Sequence, residues 1–212
     1  MSPRRSSLDA RVSGRRAGQR FDADHRVVTE ALLFLGDLDP EAIGANIEHA
    51  THYEPTPVGE LERLLAHVPF PLDRATFVDL GAGMGRALFA AARYPFRQIV
   101  GVEISPALAA IARDNLAVLD ISEFACRDIR IVRGDASTFR FPKGDLIAYL
   151  YNPFDAMLVA KVIATLARGR RTNLALLYHT PVERDVVEAH AAFELCAEEP
   201  FGVVYLGSPA HE

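Results

Sequence analysis

The residues best suited to chemistry in this chain lie between Thr76 and Arg86, where Asp79-x-Gly81-x-Gly83-x-Gly85 closes a short apolar run. An acid stands two places before the first of three glycines on alternate positions. Glycine permits positive φ and leaves bare backbone where a Cβ would hold a ligand off. The helix-forming run Ala87-Leu88-Phe89-Ala90-Ala91-Ala92 follows, so the turn presents the free N–H groups of a helix start. Strand, glycine turn and helix open a nucleotide-binding βαβ unit. A second acid, Glu103, ends the run Gln98-Ile99-Val100-Gly101-Val102. About 20 residues beyond such glycines, a carboxylate can accept hydrogen bonds from a ribose diol. A turn kept only for its own geometry, and a solvated strand-end charge, are the plain alternatives.

The spacing separates the candidate ligands. Dinucleotide folds place their third glycine one position later, against the pyrophosphate; that position is Arg86. The pattern resembles the first motif of the class I S-adenosylmethionine (SAM)-dependent methyltransferases, and the resemblance runs from Tyr53 to the C-terminus. The combination of Tyr53-Glu54-Pro55-Thr56, Phe77-Val78-Asp79-Leu80-Gly81 and Tyr151-Asn152-Pro153-Phe154 is most similar to small bacterial members of unassigned substrate. It is more distantly similar to Rossmann-fold lysine methyltransferases.

The resemblance implies roles. Asp79, Gly81, Ala82, Gly83 and Gly85 would hold the methionine end of SAM, and Glu103 the ribose hydroxyls. Asp135 would accept from the adenine amino group and the backbone of Ala136 would meet the ring, with Ile104 and Phe139 flanking it. Prolines on both sides of Thr56 stiffen the Tyr53–Thr56 loop, which is placed to close over the methionine end. Asn152 is counted with the cofactor and also, through its side chain and the Pro153 carbonyl, with the acceptor; Phe154 would wall that pocket. The product would be S-adenosylhomocysteine. No metal is expected, because the sulfonium is already activated; placement and exclusion of water are what the protein must supply.

The acceptor is less constrained. A nucleophilic nitrogen or oxygen, with a protein lysine favoured, is the expectation; protein, small molecule and RNA all stay open. Asn152-Pro153-Phe154-Asp155 lacks the second proline of the (Asp/Asn)-Pro-Pro-(Tyr/Phe) motif, whose aromatic stacks on a flipped base. His179, at a strand end, could be a base or a satisfied core histidine. Two other functions stand beside methyl transfer: a SAM-binding regulatory module without catalysis, and a dinucleotide oxidoreductase, which Arg86 disfavours.

Composition sets the outer bounds. Half of the 212 residues are apolar and the net charge is −5, enough for one sizeable core. Cys126 and Cys196 stand alone, so neither a disulfide framework nor a zinc site is expected, and a reducing cytoplasm fits. No apolar run reaches the roughly 20 residues of a membrane span. Arg4, Arg5, Arg11, Arg15, Arg16 and Arg20 crowd the start, leaving an acidic body that is a poor platform for nucleic acid.

The elements that must position these residues alternate strand and helix. The expected fold is α/β: a doubly wound, mostly parallel sheet of about seven strands with a C-terminal antiparallel hairpin and helices on both faces. Ser105-Pro106 and Asp155 read as helix starts, as does Asp39-Pro40-Glu41. Three regions are expected: a disordered basic arm over 1–20, a helical lid or substrate segment over 21–70, and the SAM-binding domain over 71–212. Within the second, 25–35 reads as a short, possibly helical segment ending near Gly36.

Overall fold

The computed structural model describes residues 3–30, 33–34, 52–151, 154–169 and 171–208. The helix start expected at Asp39 lies outside them. Seven strands form one sheet: β3 (Thr76–Leu80), β4 (Gln98–Glu103), β5 (Ile129–Arg133), β6 (Leu146–Tyr151), β7 (Leu174–His179), β8 (Phe193–Glu199) and β9 (Gly202–Gly207). Their order is β5-β4-β3-β6-β7-β9-β8. The first five are parallel, while β9 runs antiparallel between β7 and β8. The expected seven-stranded sheet and closing hairpin are present. A two-residue pair, β1 (Leu33–Phe34) with β2 (His52–Tyr53), stands apart.

Burial on both faces explains why β6 and β7 are almost wholly apolar, and β3 apolar apart from Thr76 and Asp79. Alternation along β3 sends Phe77 to one core and Val78 and Leu80 to the other. Asp79 therefore shares its face with Phe77. The same period in β6 puts Ile147 and Tyr149 on that face, and in β7 Ala175 and Leu177. This face is covered by α2 (Glu60–Leu65), through Leu61, Leu64 and Leu65, and by α3 (Arg86–Ala91). The opposite face takes Val159, Val162, Ile163 and Leu166 of α5 (Ala156–Ala167).

Local chemistry sets the helix starts. Ser105 Oγ accepts from Leu108 N at the head of α4 (Pro106–Val118). Asp155 does the same for Leu158 N at α5. Both caps match the sequence reading. A further short helix, α6 (Arg184–Glu188), precedes β8. The outer strand β8 carries Glu194, Glu198 and Glu199 and a bulge between Leu195 and Ala197, which discourages further strand addition.

The N-terminus differs from expectation. In place of a disordered arm over 1–20, a helix, α1, spans Pro3–His25 and crosses the boundary expected at residue 21. Its last turns are tied down by tertiary contacts that composition does not reveal. Phe21 is buried, stacks on His25 at 4.3 Å and lies beneath the Arg86 guanidinium at 4.8 Å. The helix stops at Arg26, whose φ is 59°, so the segment read as beginning at His25 starts where this helix ends. Among the described residues no helix is long and apolar enough to cross a membrane.

Candidate active site

Strand order reverses between β3 and β6, so their carboxyl ends part and leave a crevice, the usual ligand position in such sheets. A cleft of about 200 Å³ lies there. Its walls are Tyr53, Glu54, Pro55 and Thr56; Asp79, Gly81 and Ala82; Arg86 and Ala87; and Tyr149, Tyr151 and Thr180. Five of the expected site residues therefore meet: Tyr53, Thr56, Asp79, Gly81 and Ala82.

The turn is shaped by glycines in the left-handed region: φ is 88° at Gly81, 54° at Gly83 and 95° at Gly85. Gly85 is the N-cap of α3. The Tyr53 ring lies on Gly83 so closely that a Cβ there would sit 2.2 Å from Cε2. The Tyr53 hydroxyl donates to the Thr29 carbonyl at 2.9 Å. On the far wall the Thr56 and Tyr149 hydroxyls are 3.0 Å apart, tying the stiff loop to the centre of the sheet.

Asp79 is the electrostatic focus. Its side chain is buried, and the neighbouring charge it feels is another carboxylate, Glu103. Desolvation, with Glu103 second, pushes its pKa up to about 8. Glu103 stands behind the turn and accepts from Gly83 N and Ser105 N, each at 2.8 Å. Burial raises its pKa, and these backbone donors oppose the rise. Glu103 thus braces the glycine turn from within. Asp135, half-buried after the end of β5, accepts from Ser137 N at 2.8 Å. Glu103, Ile104, Asp135 and Ala136 are not among the cleft's lining residues; they follow β4 and β5, the next strands along.

Arg86 does more than replace a glycine. Its guanidinium is buried, reaching Asp22 at 3.2 Å and Glu30 at 3.1 Å, and its Nε donates to the Thr29 hydroxyl. It also donates to the Gly18 carbonyl. Asp22 in turn accepts from the backbone of Thr29 and Glu30, each at 2.7 Å. Asn115 completes the clasp, donating to the carbonyls of Val28 and Met84 and accepting from Val28 N. Residues 18–30 are thereby held against the glycine turn.

Asn152 and Pro153 lie outside the described residues. Phe154 packs, partly buried, against the core on the α5 face and does not line this cleft. The tyrosines Tyr149 and Tyr151, with Thr180, were missed by the sequence reading. Two tyrosines on alternate positions at the end of an otherwise aliphatic strand were the available signal.

A family model described as a methyltransferase domain matches residues 77–172. Residues 77–172 therefore carry a methyltransferase domain. An RNA methyltransferase of Salinibacter ruber, solved with S-adenosyl-L-homocysteine, is 20% identical over 75% of this chain and 95% of its own, with a TM-score of 0.53. A putative methyltransferase of Escherichia coli, yhhF, is 22% identical over 71% of this chain and 83% of its own, also at 0.53. A predicted N6-adenine-specific DNA methylase of Listeria monocytogenes reaches 0.55 at 13% identity, over 74% and 52% of the two chains. These likenesses establish the shared fold. No protein of curated function matches the chain.

The residues present fit SAM. The bare backbone of Gly81 faces the cleft, and a buried acid beside it, destabilised as an anion, suits the cofactor's ammonium. Bound there, SAM supplies a methyl group on a sulfonium whose charge vanishes as the methyl leaves.

Proposed function

We propose that this methyltransferase acts on a nucleophilic nitrogen, with a protein lysine as the favoured acceptor. The observation that carries the reading is the charge of the cleft. Glu54 lines it, Asp79 is held for the cofactor's own ammonium, and the lining cation, Arg86, is committed to Asp22 and Glu30. Three tyrosines, Tyr53, Tyr149 and Tyr151, complete the wall. Carboxylates and aromatic rings favour an ammonium group and disfavour phosphate, which turns the choice away from nucleic acid. The acidic chain, at −5 overall, points the same way.

Asp79 would pair with the cofactor's ammonium, while Gly81 and Ala82 leave room for its methionine end. Tyr53 and Thr56 close the cleft above. An amine must lose a proton before its lone pair can attack, and in-line placement then provides most of the acceleration. The test is labelling with tritiated SAM of an extract from cells lacking this chain. The expected result is label in protein, released on hydrolysis as methylated lysine. Label confined to RNA, or to small molecules other than amines, would defeat the proposal. Tight SAM binding with no transfer to any fraction would favour a regulatory module.

A further inference from the structure

Where β7 ends, three polar residues form a chain that the cofactor does not require. Thr180 lines the cleft, and its hydroxyl lies 3.0 Å from Nδ1 of His179. Nε2 of His179 lies 2.5 Å from Oε2 of Glu60, the first residue of α2. The order runs from cleft to surface: the His179 side chain is 3% exposed and that of Glu60 30%. A neutral imidazole carrying its proton on Nε2 satisfies every link, with Thr180 donating to Nδ1 and Nε2–H donating to Glu60.

Two further observations set this chain apart from an ordinary core histidine. The His179 ring is locked, edge-on to Tyr151 at 4.2 Å and stacked on Phe201 at 5.5 Å. Thr180 has a φ of 47°, and Arg26 is the other positive-φ residue besides glycine among those described. For a β-branched residue this conformation is strained. It is held by the neighbouring backbone: Thr180 N donates to Phe201 O at 2.7 Å and Thr180 O accepts from Val182 N at 2.8 Å. Strain held in place at the rim of a cleft is characteristic of working residues.

We propose that Thr180, His179 and Glu60 form a proton relay that carries the acceptor's proton from the cleft to solvent. The proposal rests on the amine reading above. As the N–CH3 bond forms, the S–CH3 bond breaks and its electron pair stays on sulfur. The ammonium proton, lost before attack, passes to Thr180 Oγ1 while the hydroxyl's own proton moves to Nδ1 of His179. Nε2 releases its proton to the Glu60 carboxylate, which returns it to water. One proton leaves the amine and one reaches solvent.

The groups that face His179 are Glu60 from α2, Tyr151 from β6 with Glu54 near its hydroxyl, and Phe201, whose ring carries Arg63 at 4.7 Å. The test measures single-turnover transfer from tritiated SAM to n-butylamine and to the cell extract, for wild type, T180V, T180S and E60Q. T180V and E60Q should slow transfer about 100-fold near neutral pH, with SAM affinity held within about twofold by calorimetry. T180S, which restores the hydroxyl, should recover most of the rate lost in T180V. The E60Q deficit should shrink as pH rises and hydroxide takes the amine's proton, whereas structural damage would lower the rate equally at every pH. Full rate in T180V, or a pH-independent deficit in E60Q, overturns the relay alone. A wild-type chain that methylates neither acceptor overturns the relay and the amine reading together.

Discussion

The two walls of the cleft are built on different principles. The wall after β3 is mostly backbone: Gly81 and Ala82 line it beside one buried acid, in a turn whose three glycines have positive φ and which a second carboxylate braces from behind. The wall at β6 and β7 is mostly side chain: Tyr149, Tyr151, Thr180 and the loop that bonds to them. A backbone wall suits a ligand that every member of a family shares, because its geometry depends on few residue identities. A side-chain wall can change with the acceptor. The contrast predicts that damage on the first side abolishes cofactor binding, while damage on the second spares binding and slows transfer.

The largest effect should come from Arg86→Met. It leaves Asp22 and Glu30, only 14% and 17% exposed, without their counter-charge, and loss of one partner of a buried pair costs about 3–5 kcal/mol. Chemical denaturation should register that loss, and proteolysis should show residues 18–30 released. If the loss is below about 1 kcal/mol, the clasp is a surface ion pair and the N-terminal segment does not belong to the backbone wall.

Gly83→Ala comes next. The added Cβ meets the Tyr53 ring at 2.2 Å and must adopt a φ of 54°, a conformation costing alanine about 1 kcal/mol before any clash. SAM affinity should fall at least 100-fold by calorimetry, a loss of about 2.7 kcal/mol. Combining it with Tyr53→Ala should return part of the stability, because the clash has then been removed. Equal losses in the single and double variants would show that the ring does not set the turn.

Asp79→Asn separates stability from binding. The folded chain keeps the Asp79 proton up to about pH 8, whereas an unfolded aspartate loses it near its ordinary value of 3.8. The folded state therefore binds more protons across that window, and stability without cofactor falls as pH rises through it. The asparagine variant lacks this decline, so its melting temperature should exceed wild type by at least about 2–4 °C near pH 8, and by less near pH 5. SAM affinity should drop about tenfold in the same variant, since a charge-assisted partner has gone. A melting difference that does not change with pH would mean that Asp79 is ionised in the fold.

The smallest effect belongs to Tyr149→Phe. It removes the hydroxyl paired with Thr56 at 3.0 Å and should cost about 1 kcal/mol of stability. SAM affinity should stay within about twofold and transfer should slow, as measured by calorimetry beside single-turnover labelling. A large loss of cofactor affinity would erase the distinction between the two walls.

What could be read beforehand follows the same division. The glycine turn, Asp79, Glu103 and the caps at Ser105 and Asp155 were legible because each depends on neighbours a few residues away. Tyr53 and Thr56 were found through the prolines that stiffen their loop. Glu54 and Tyr151 stood inside the quoted motifs without a role, and Thr180 was missed because no local pattern joins it to residues so far away in the chain. The helical N-terminus was missed because its anchor, Arg86 on Phe21, Asp22 and Glu30, is some 60 residues downstream in the chain.

The sequence by itself determined the alternation of strand and helix and the glycine turn with its acid two places before, since these follow from hydrophobic period and backbone freedom. The class of cofactor was implied by the family resemblance that those residues carry. Tertiary structure decided which side chains face one another across the strand-order reversal. It placed His179 between Thr180 and Glu60, and it turned a stray arginine into the clasp of an N-terminal helix. Such pairings depend on the order of strands in the sheet, and distance along the chain carries no record of that order.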